Sequence, residues 1–311
     1  MKKYIIIISI LIILLLITFD LHYNRNNYKV TEQYMLMGFY DENLNPISSE
    51  DINISSNSNT FKFNFSLENR FESKKDYILK ILVNDNFIEY NINDINNSEF
   101  LISINKDTKQ IFEINIPYVY LDKQLNYCEL ILFEKYNIDD DIVRQIEPRI
   151  YSSQFTLNFD DKAINNHNVE NNIIINDYLN KFNSKYNKEI FITSSKPSIN
   201  SNNLINENLS LSYKSHQIYL NITNLYNNVD YMDYKVYFLN NYNLIEINNL
   251  PYLYIKLNKG EQVSIPINIK FNSSNINDEL VFMLVSEPFN LINYNNKSEK
   301  ISIFSQIIKI K

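Results

Sequence analysis

The chain has 311 residues, a formal net charge of -7 at neutral pH and 45% hydrophobic residues, which is room for two domains of ordinary size with packed cores. Lys and acidic residues are interspersed and no basic stripe forms, which excludes nucleic-acid binding. Two glycines, Gly38 and Gly260, exclude Walker and dinucleotide loops and a Gly-x-Ser-x-Gly elbow.

Residues 1–20, MKKYIIIISILIILLLITFD, place two lysines before an apolar run from Tyr4 to Phe19. A signal peptide needs a small-residue cleavage site, and none follows Thr18. The reading is an uncleaved membrane anchor, with a cleaved signal, and hence a secreted protein, as the alternative. The run is short for a span, but local bilayer thinning and snorkelling of Lys2 and Lys3 accommodate it. The same lysines hold the amino terminus inside, leaving the remainder extracellular on a single-pass protein. Residues 21–30 read as a polar stalk.

Strands are expected at 34–39, 61–67, 77–83, 87–92, 100–104, 110–116, 127–133 and 154–159. Each alternates and is rich in Ile, Phe, Tyr or Val, with turn-forming Asn, Asp, Ser and Pro between them. That density of short strands is the pattern of an antiparallel β-sandwich over 31–160, with one face of each sheet packed inward and the other in water. Cys128, the single cysteine, shares a face with Leu130 and Leu132 and reads as a buried core thiol. One cysteine makes neither an internal bridge nor a Cys-rich zinc site. Residues 161–187 are polar apart from Ile173–Ile175, Tyr178, Leu179 and Phe182, a spacing that suits one short amphipathic helix in a linker.

The second half repeats the first. FLISINKDTKQIFEINI (100–116) matches YLYIKLNKGEQVSIPINI (252–269), each reading as a hairpin about an Asn-Lys turn, Asn105-Lys106 or Asn258-Lys259. FKFNFSLENR (61–70) matches IYLNITNLY (218–226), and DYILKILVNDNFIEYNI (76–92) matches DYKVYFLNNYNLIEI (233–247). CELILF (128–133) matches DELVFMLV (278–285), and Ser153-Gln154 matches Ser305-Gln306. Blocks in constant order at this spacing mean tandem domains, so a second sandwich is expected over 188–311. The fold expected is all-β, two tandem immunoglobulin-like antiparallel sandwiches after an N-terminal hydrophobic helix.

The stretch FNFSLENRFESKKDYILKILVNDN (63–86), with the later strand pair at Asn105-Lys106 and Asn258-Lys259, resembles bacterial extracellular immunoglobulin-like domains of the CARDB-like kind. The resemblance spans most of 30–160 and 188–311. Such families carry a Gly near that turn; Gly260 keeps it and Asp107 stands near its place in the first copy. The resemblance implies a spacer or binding module and no catalytic residues.

Candidate chemistry is sparse. His22, His167 and His216 include no i, i+4 pair for zinc, and a Ser-His-Asp triad, which forms by spatial proximity, stays open. Acidic runs at Asp139–Asp141 and Asp160-Asp161 suit either calcium-binding or merely solvated loops. The absence of Trp removes the commonest sugar-stacking platform, although 24 Tyr could replace it. Asn-x-Ser/Thr sites at Asn53, Asn64, Asn96, Asn208, Asn221, Asn272 and Asn296 occur at the frequency chance gives in an Asn-rich chain. No catalytic, cofactor or metal residue is assigned. The expected function is non-catalytic: a membrane-tethered binding, scaffold or spacer module of the bacterial cell envelope, partnered by the membrane and by an envelope protein or glycan. A cell-surface or wall-glycan binder is the alternative, and an envelope hydrolase comes behind both.

Overall fold

The computed structural model describes residues 34–47, 52–54, 60–121, 125–135, 150–159, 189–194, 216–225, 230–246, 250–269, 278–286, 292–294, 297–299, 302–305 and 308–309. The expected anchor, stalk, linker helix and both acidic runs lie outside the described residues. Among the described residues no helix is long and apolar enough to cross a membrane.

The described chain is nearly all β. Its first half contains β1 (Met35–Tyr40), β2 (Ile52–Ile54), β3 (Thr60–Asn69), β4 (Lys75–Val83), β5 (Asn86–Phe87) and β6 (Tyr90–Ile92). After these come β7 (Ile95–Asn97), β8 (Phe100–Ile104), β9 (Thr108–Pro117), β10 (Leu125–Glu134) and β11 (Ile150–Phe159). Sheet I has the order β1-β3-β9-β6-β7, and sheet II the order β2-β11-β10-β4-β5 with β8 also on β4. Pairing is antiparallel except for β2, which runs parallel to β11.

The second half contains β12 (Ile190–Thr193), β13 (His216–Thr223), β14 (Tyr231–Asn240), β15 (Asn243–Ile245), β16 (Leu253–Asn258) and β17 (Gln262–Ile269). Then follow β18 (Glu279–Ser286), β19 (Ile292–Tyr294), β20 (Lys297–Glu299), β21 (Ser302–Phe304) and β22 (Ile308–Lys309). Sheet III is β15-β14-β18-β21 with β16 on β14 and β22 on β18, and sheet IV is β12-β13-β17. The two halves therefore share one wiring: β3, β4, β8, β9 and β10 correspond to β13, β14, β16, β17 and β18.

Sheets I and II face each other across Phe63, Phe65, Leu79, Ile81, Ile114, Cys128, Leu130 and their neighbours, all buried. Cys128 is fully buried there and forms no disulfide. Sheets III and IV enclose the equivalent core around Leu220, Ile222, Val236, Phe238, Ile265 and Phe282.

Three expectations are corrected. The repeated strand–turn–strand block is not a hairpin: β8 pairs with β4 in sheet II while β9 pairs with β3 in sheet I. The Asn-Lys turn thus carries the chain from one sheet to the other, as does the corresponding turn between β16 and β17. The single strand expected at 87–92 is divided, because β5 belongs to sheet II and β6 to sheet I, with buried Ile88 where the chain crosses. Finally, sheets II and III do not turn a face to water. A third apolar cluster lies between them, formed by Leu82, Tyr127, Ile131 and Phe133 from the first half and Tyr237, Leu239, Val281, Met283 and Val285 from the second. The layers stack as I, II, III, IV.

One edge differs between the halves. In sheet I, β6 extends the sheet beyond β9 through Asn91↔Asn115. Residues 246–252, between β15 and β16, are too few to deliver such a hairpin, and β17 carries Pro266 where β9 carries Glu113, whose carbonyl faces the added edge by accepting from the Asn93 N–H. A proline has no N–H for a further strand and fits only at an edge.

The turns after β8 and β16 test the equivalence of the halves. Gly260 has φ +71° with open space around its α-carbon, and Asp107 has φ 53° in the matching place. Left-handed backbone costs a side-chain-bearing residue about 1–2 kcal/mol, with Asp and Asn the most tolerant. Gly260→Val should therefore lower stability by about 1–2 kcal/mol in urea unfolding, and Gly260→Asp by clearly less. Equal losses would mean the two turns are not alike.

Candidate functional site

The seam between sheets II and III holds the buried charged residues Lys80, Glu129 and Lys235 and the positive-φ residues Asn84, Asp85, Asn241 and Tyr242. Its strands each serve two cores. In β4, Tyr77, Leu79, Ile81 and Val83 enter the first sandwich core while Leu82 enters the seam. In β14, Tyr234, Val236 and Phe238 enter the second core while Tyr237 and Leu239 enter the seam. β10 and β18 divide in the same way.

On this apolar ground sits a polar set centred on Asp85. The β4–β5 turn places Asn84 at φ 45° and Asp85 at φ 82°. From there the Asp85 carboxylate reaches across the seam, accepting hydrogen bonds from Lys235 Nζ at 2.6 Å and from the Tyr237 hydroxyl at 2.5 Å. The Lys235 and Asp85 side chains are only 8% and 17% exposed. Lys235 also stands 4.5 Å from the centre of the Tyr252 ring. A desolvated pair of this kind stands only with its remaining donors and acceptors satisfied. Burial, with the Asp85 carboxylate next to it, holds the Tyr237 hydroxyl well above its ordinary value.

The contact is reciprocal. Lys80 occupies in β4 the place of Tyr237 in β14, and Lys80 Nζ donates across the seam to Asn243 Oδ1 at 2.7 Å. Asn243 follows the β14–β15 turn, the counterpart of the turn holding Asp85. In that second turn Asn241 and Tyr242 also have positive φ, 47° and 64°. The Tyr242 ring stacks on Phe133 of the other half, centroids 4.6 Å apart, and its hydroxyl donates to Glu279 at 3.0 Å. Asp and Tyr bear a strained conformation that Gly would take freely, and in both turns the side chain is what crosses the seam. The two sandwiches thus meet about a quasi-two-fold axis, each using one hairpin turn to grip the other's central strand.

Elsewhere the structure places little chemistry together. His216 opens β13, paired with Ile269 across the ladder, while His22, His167, Asp139–Asp141 and Asp160-Asp161 lie outside the described residues. Among the described residues no group of three or more His, Cys, Asp or Glu could hold a metal ion. Tyr77, Tyr90, Tyr127, Tyr234 and Tyr237 are among the largest fully buried side chains, so these tyrosines pack and offer no glycan platform. A second buried ion pair, Lys75–Glu134 at 2.6 Å, belongs to the first half alone.

No protein-family model matches the chain, and no curated protein matches it. Among solved structures it is similar to a red sea bream transglutaminase at 7% identity, covering 93% of this chain and 33% of that one, with a TM-score of 0.24. The chain thus spans about a third of the length of that enzyme. It is also similar to the CsuC–CsuE chaperone–tip adhesion subunit pre-assembly complex from archaic chaperone-usher Csu pili of Acinetobacter baumannii. That likeness stands at 12% identity over 88% of this chain and 98% of the other, with a TM-score of 0.26. Likenesses this distant carry no argument about function.

Two measurements test the seam. Asp85→Ala leaves the Lys235 ammonium buried without its carboxylate and should cost about 3–5 kcal/mol, whereas adding Lys235→Met should restore much of the loss. A double variant as unstable as the single one would show that the pair does not act as a unit. The pH dependence follows from Tyr237, whose folded-state value is raised. Its stabilising contribution is fully present below about pH 10, where the free tyrosine titrates, and is lost as pH rises through the folded-state value. Tyr237→Phe should flatten the alkaline limb of the stability profile. Some slope remains from Tyr90, also held high by burial and by Glu99; an unchanged limb would remove Tyr237 from the account.

Proposed function

We propose that the chain is a non-catalytic, membrane-tethered extracytoplasmic protein of the bacterial cell envelope, its two halves being tandem immunoglobulin-like sandwiches that act as a scaffold or spacer. The observation that carries this reading is the seam. A spacer must hold its ends in a fixed relation, and a third apolar core with a buried Asp85–Lys235 pair does so; two beads on a flexible tether would not. The charge placement supports the same reading, since Asp85, Lys235 and Lys80 each hydrogen-bond to the opposite half. The tether rests on Lys2, Lys3 and the apolar run from Tyr4 to Phe19. The outer faces of the stack are left to a protein partner. On sheet I that face carries Lys62, Glu113 and Lys109 around Ile111, all exposed.

Cross-linking of the tagged full-length chain on living cells, followed by mass spectrometry, should capture the same envelope protein over a range of salt concentrations. Recovery of the chain alone at every salt tested would overturn the scaffold reading. Retention on isolated wall glycan would replace it with the glycan-binding one.

A further inference from the structure

Among the described residues the halves meet through side chains. Sheets II and III are separate sheets, and among the described residues no backbone hydrogen bond joins them. The covalent link leaves β11 at Phe159 and enters β12 at Ile190, a length of chain that reaches on the order of 100 Å when fully extended. The seam contacts themselves do not distinguish the partner half of the same chain from that of a second copy.

We propose that the seam is an exchangeable interface whose other occupant is a second copy of this chain, the first sandwich of each copy packing on the second sandwich of the other. Such a reciprocal dimer makes both seams with the same contacts as two monomers. In the free wild-type chain the tether wins, because it holds the second sandwich at an effective concentration in the millimolar range. Pairing is confined to unlike halves by the residues that break the quasi-two-fold symmetry. Two second sandwiches would set Lys235 against Tyr242, which stands where the first half has Asp85, and the buried ammonium would have no carboxylate. Two first sandwiches would set Asp85 against Ile78, the counterpart of Lys235. The apolar pairs Leu82 with Leu239 and Ile131 with Met283 are common to both halves and would accept any pairing, so the Asp85–Lys235 contact selects among partners.

The asymmetry supplies its own test. The Asp85→Lys chain faces Lys235 with a second ammonium, and the Lys235→Asp chain faces Asp85 with a second carboxylate. In a reciprocal dimer of one with the other, both seams recover an opposite-charge pair. Each variant alone gains nothing by exchange, since its partner copy carries the same mismatch. Light scattering after size exclusion at micromolar concentration should therefore show each variant alone as a monomer. After the two are mixed and incubated, it should show a 1:1 dimer of twice the mass. Two species that stay monomeric while each keeps a wild-type strand signal would overturn the proposal. So would dimers of either variant alone. Should a charge-reversed chain not fold, the wild-type chain refolded from urea at millimolar concentration carries the test. A dimer fraction that persists on dilution supports exchange, and monomer alone refutes it.

Discussion

Strands β4, β10, β14 and β18 each divide their residues between two cores, and the rest of the molecule follows from that double duty. Successive side chains on a strand point to opposite faces, so a slip of one residue would exchange the two sets completely. In β4 it would send Lys80 into the core of the first sandwich and Leu79 into the seam; in β14 it would send Lys235 and Tyr237 into the second. Either core alone would resist that exchange, and together they set the register from both sides. The outer strands β3, β9, β13 and β17 face one core each and place polar residues such as Asn64, Glu113 and Gln217 on the other side.

Asp85, Lys80 and Lys235 each have a hydrogen-bond partner on the opposite sheet. Lys80 and Lys235 are buried on strands whose other neighbours are Leu, Ile, Val, Phe and Tyr. In an isolated sandwich either ammonium would emerge into water. Stacked, each finds an oxygen of the opposite half on or beside a turn whose backbone has been forced to positive φ, and Lys80 also pairs with Glu99 of its own half at 3.1 Å. Tyr242 is the clearer case. A bulky residue in the left-handed region is uncommon, and its return is the stacked contact with Phe133. The strain and the cross-seam contact are thus one feature seen from two sides.

Much of the fold was legible in the chain. The repeated blocks lie on strands wired in the same order, the residues expected at 100–104 form β8 with those bounds, and Cys128 lies with Leu130 and Leu132 in a core. The errors share a cause. Alternation and turn chemistry are local signals, and they say nothing about which sheet a strand joins. The Asn105-Lys106 and Asn258-Lys259 turns look like hairpin turns because the residues that reverse a chain within a sheet also serve to carry it between sheets. The seam did leave a trace, in Leu130–Phe133 and Leu280–Val285, which are continuous apolar runs where alternation was expected. Such runs mark strands buried on both faces. Lys80 and Lys235 masked the same signal in β4 and β14 by placing a charge where the second apolar face should be. The Asp85 site had no local signature, since its acceptor and donors are separated by 150 and 152 residues in sequence.

A seam of apolar residues alone would be at least as stable, because desolvating a carboxylate and an ammonium consumes most of what their attraction returns. What the buried pair adds is discrimination. Two sandwiches of common wiring have nearly the same central faces, and Leu82, Leu239, Ile131 and Met283 would pack against either. Copies of such a chain could then associate in open-ended strings through like faces. A carboxylate on one half and an ammonium on the other make the unlike pairing the one in which both charges are matched. The asymmetry costs some stability and in exchange closes the assembly: every first sandwich accepts one second sandwich, and once that is done no unmatched face remains.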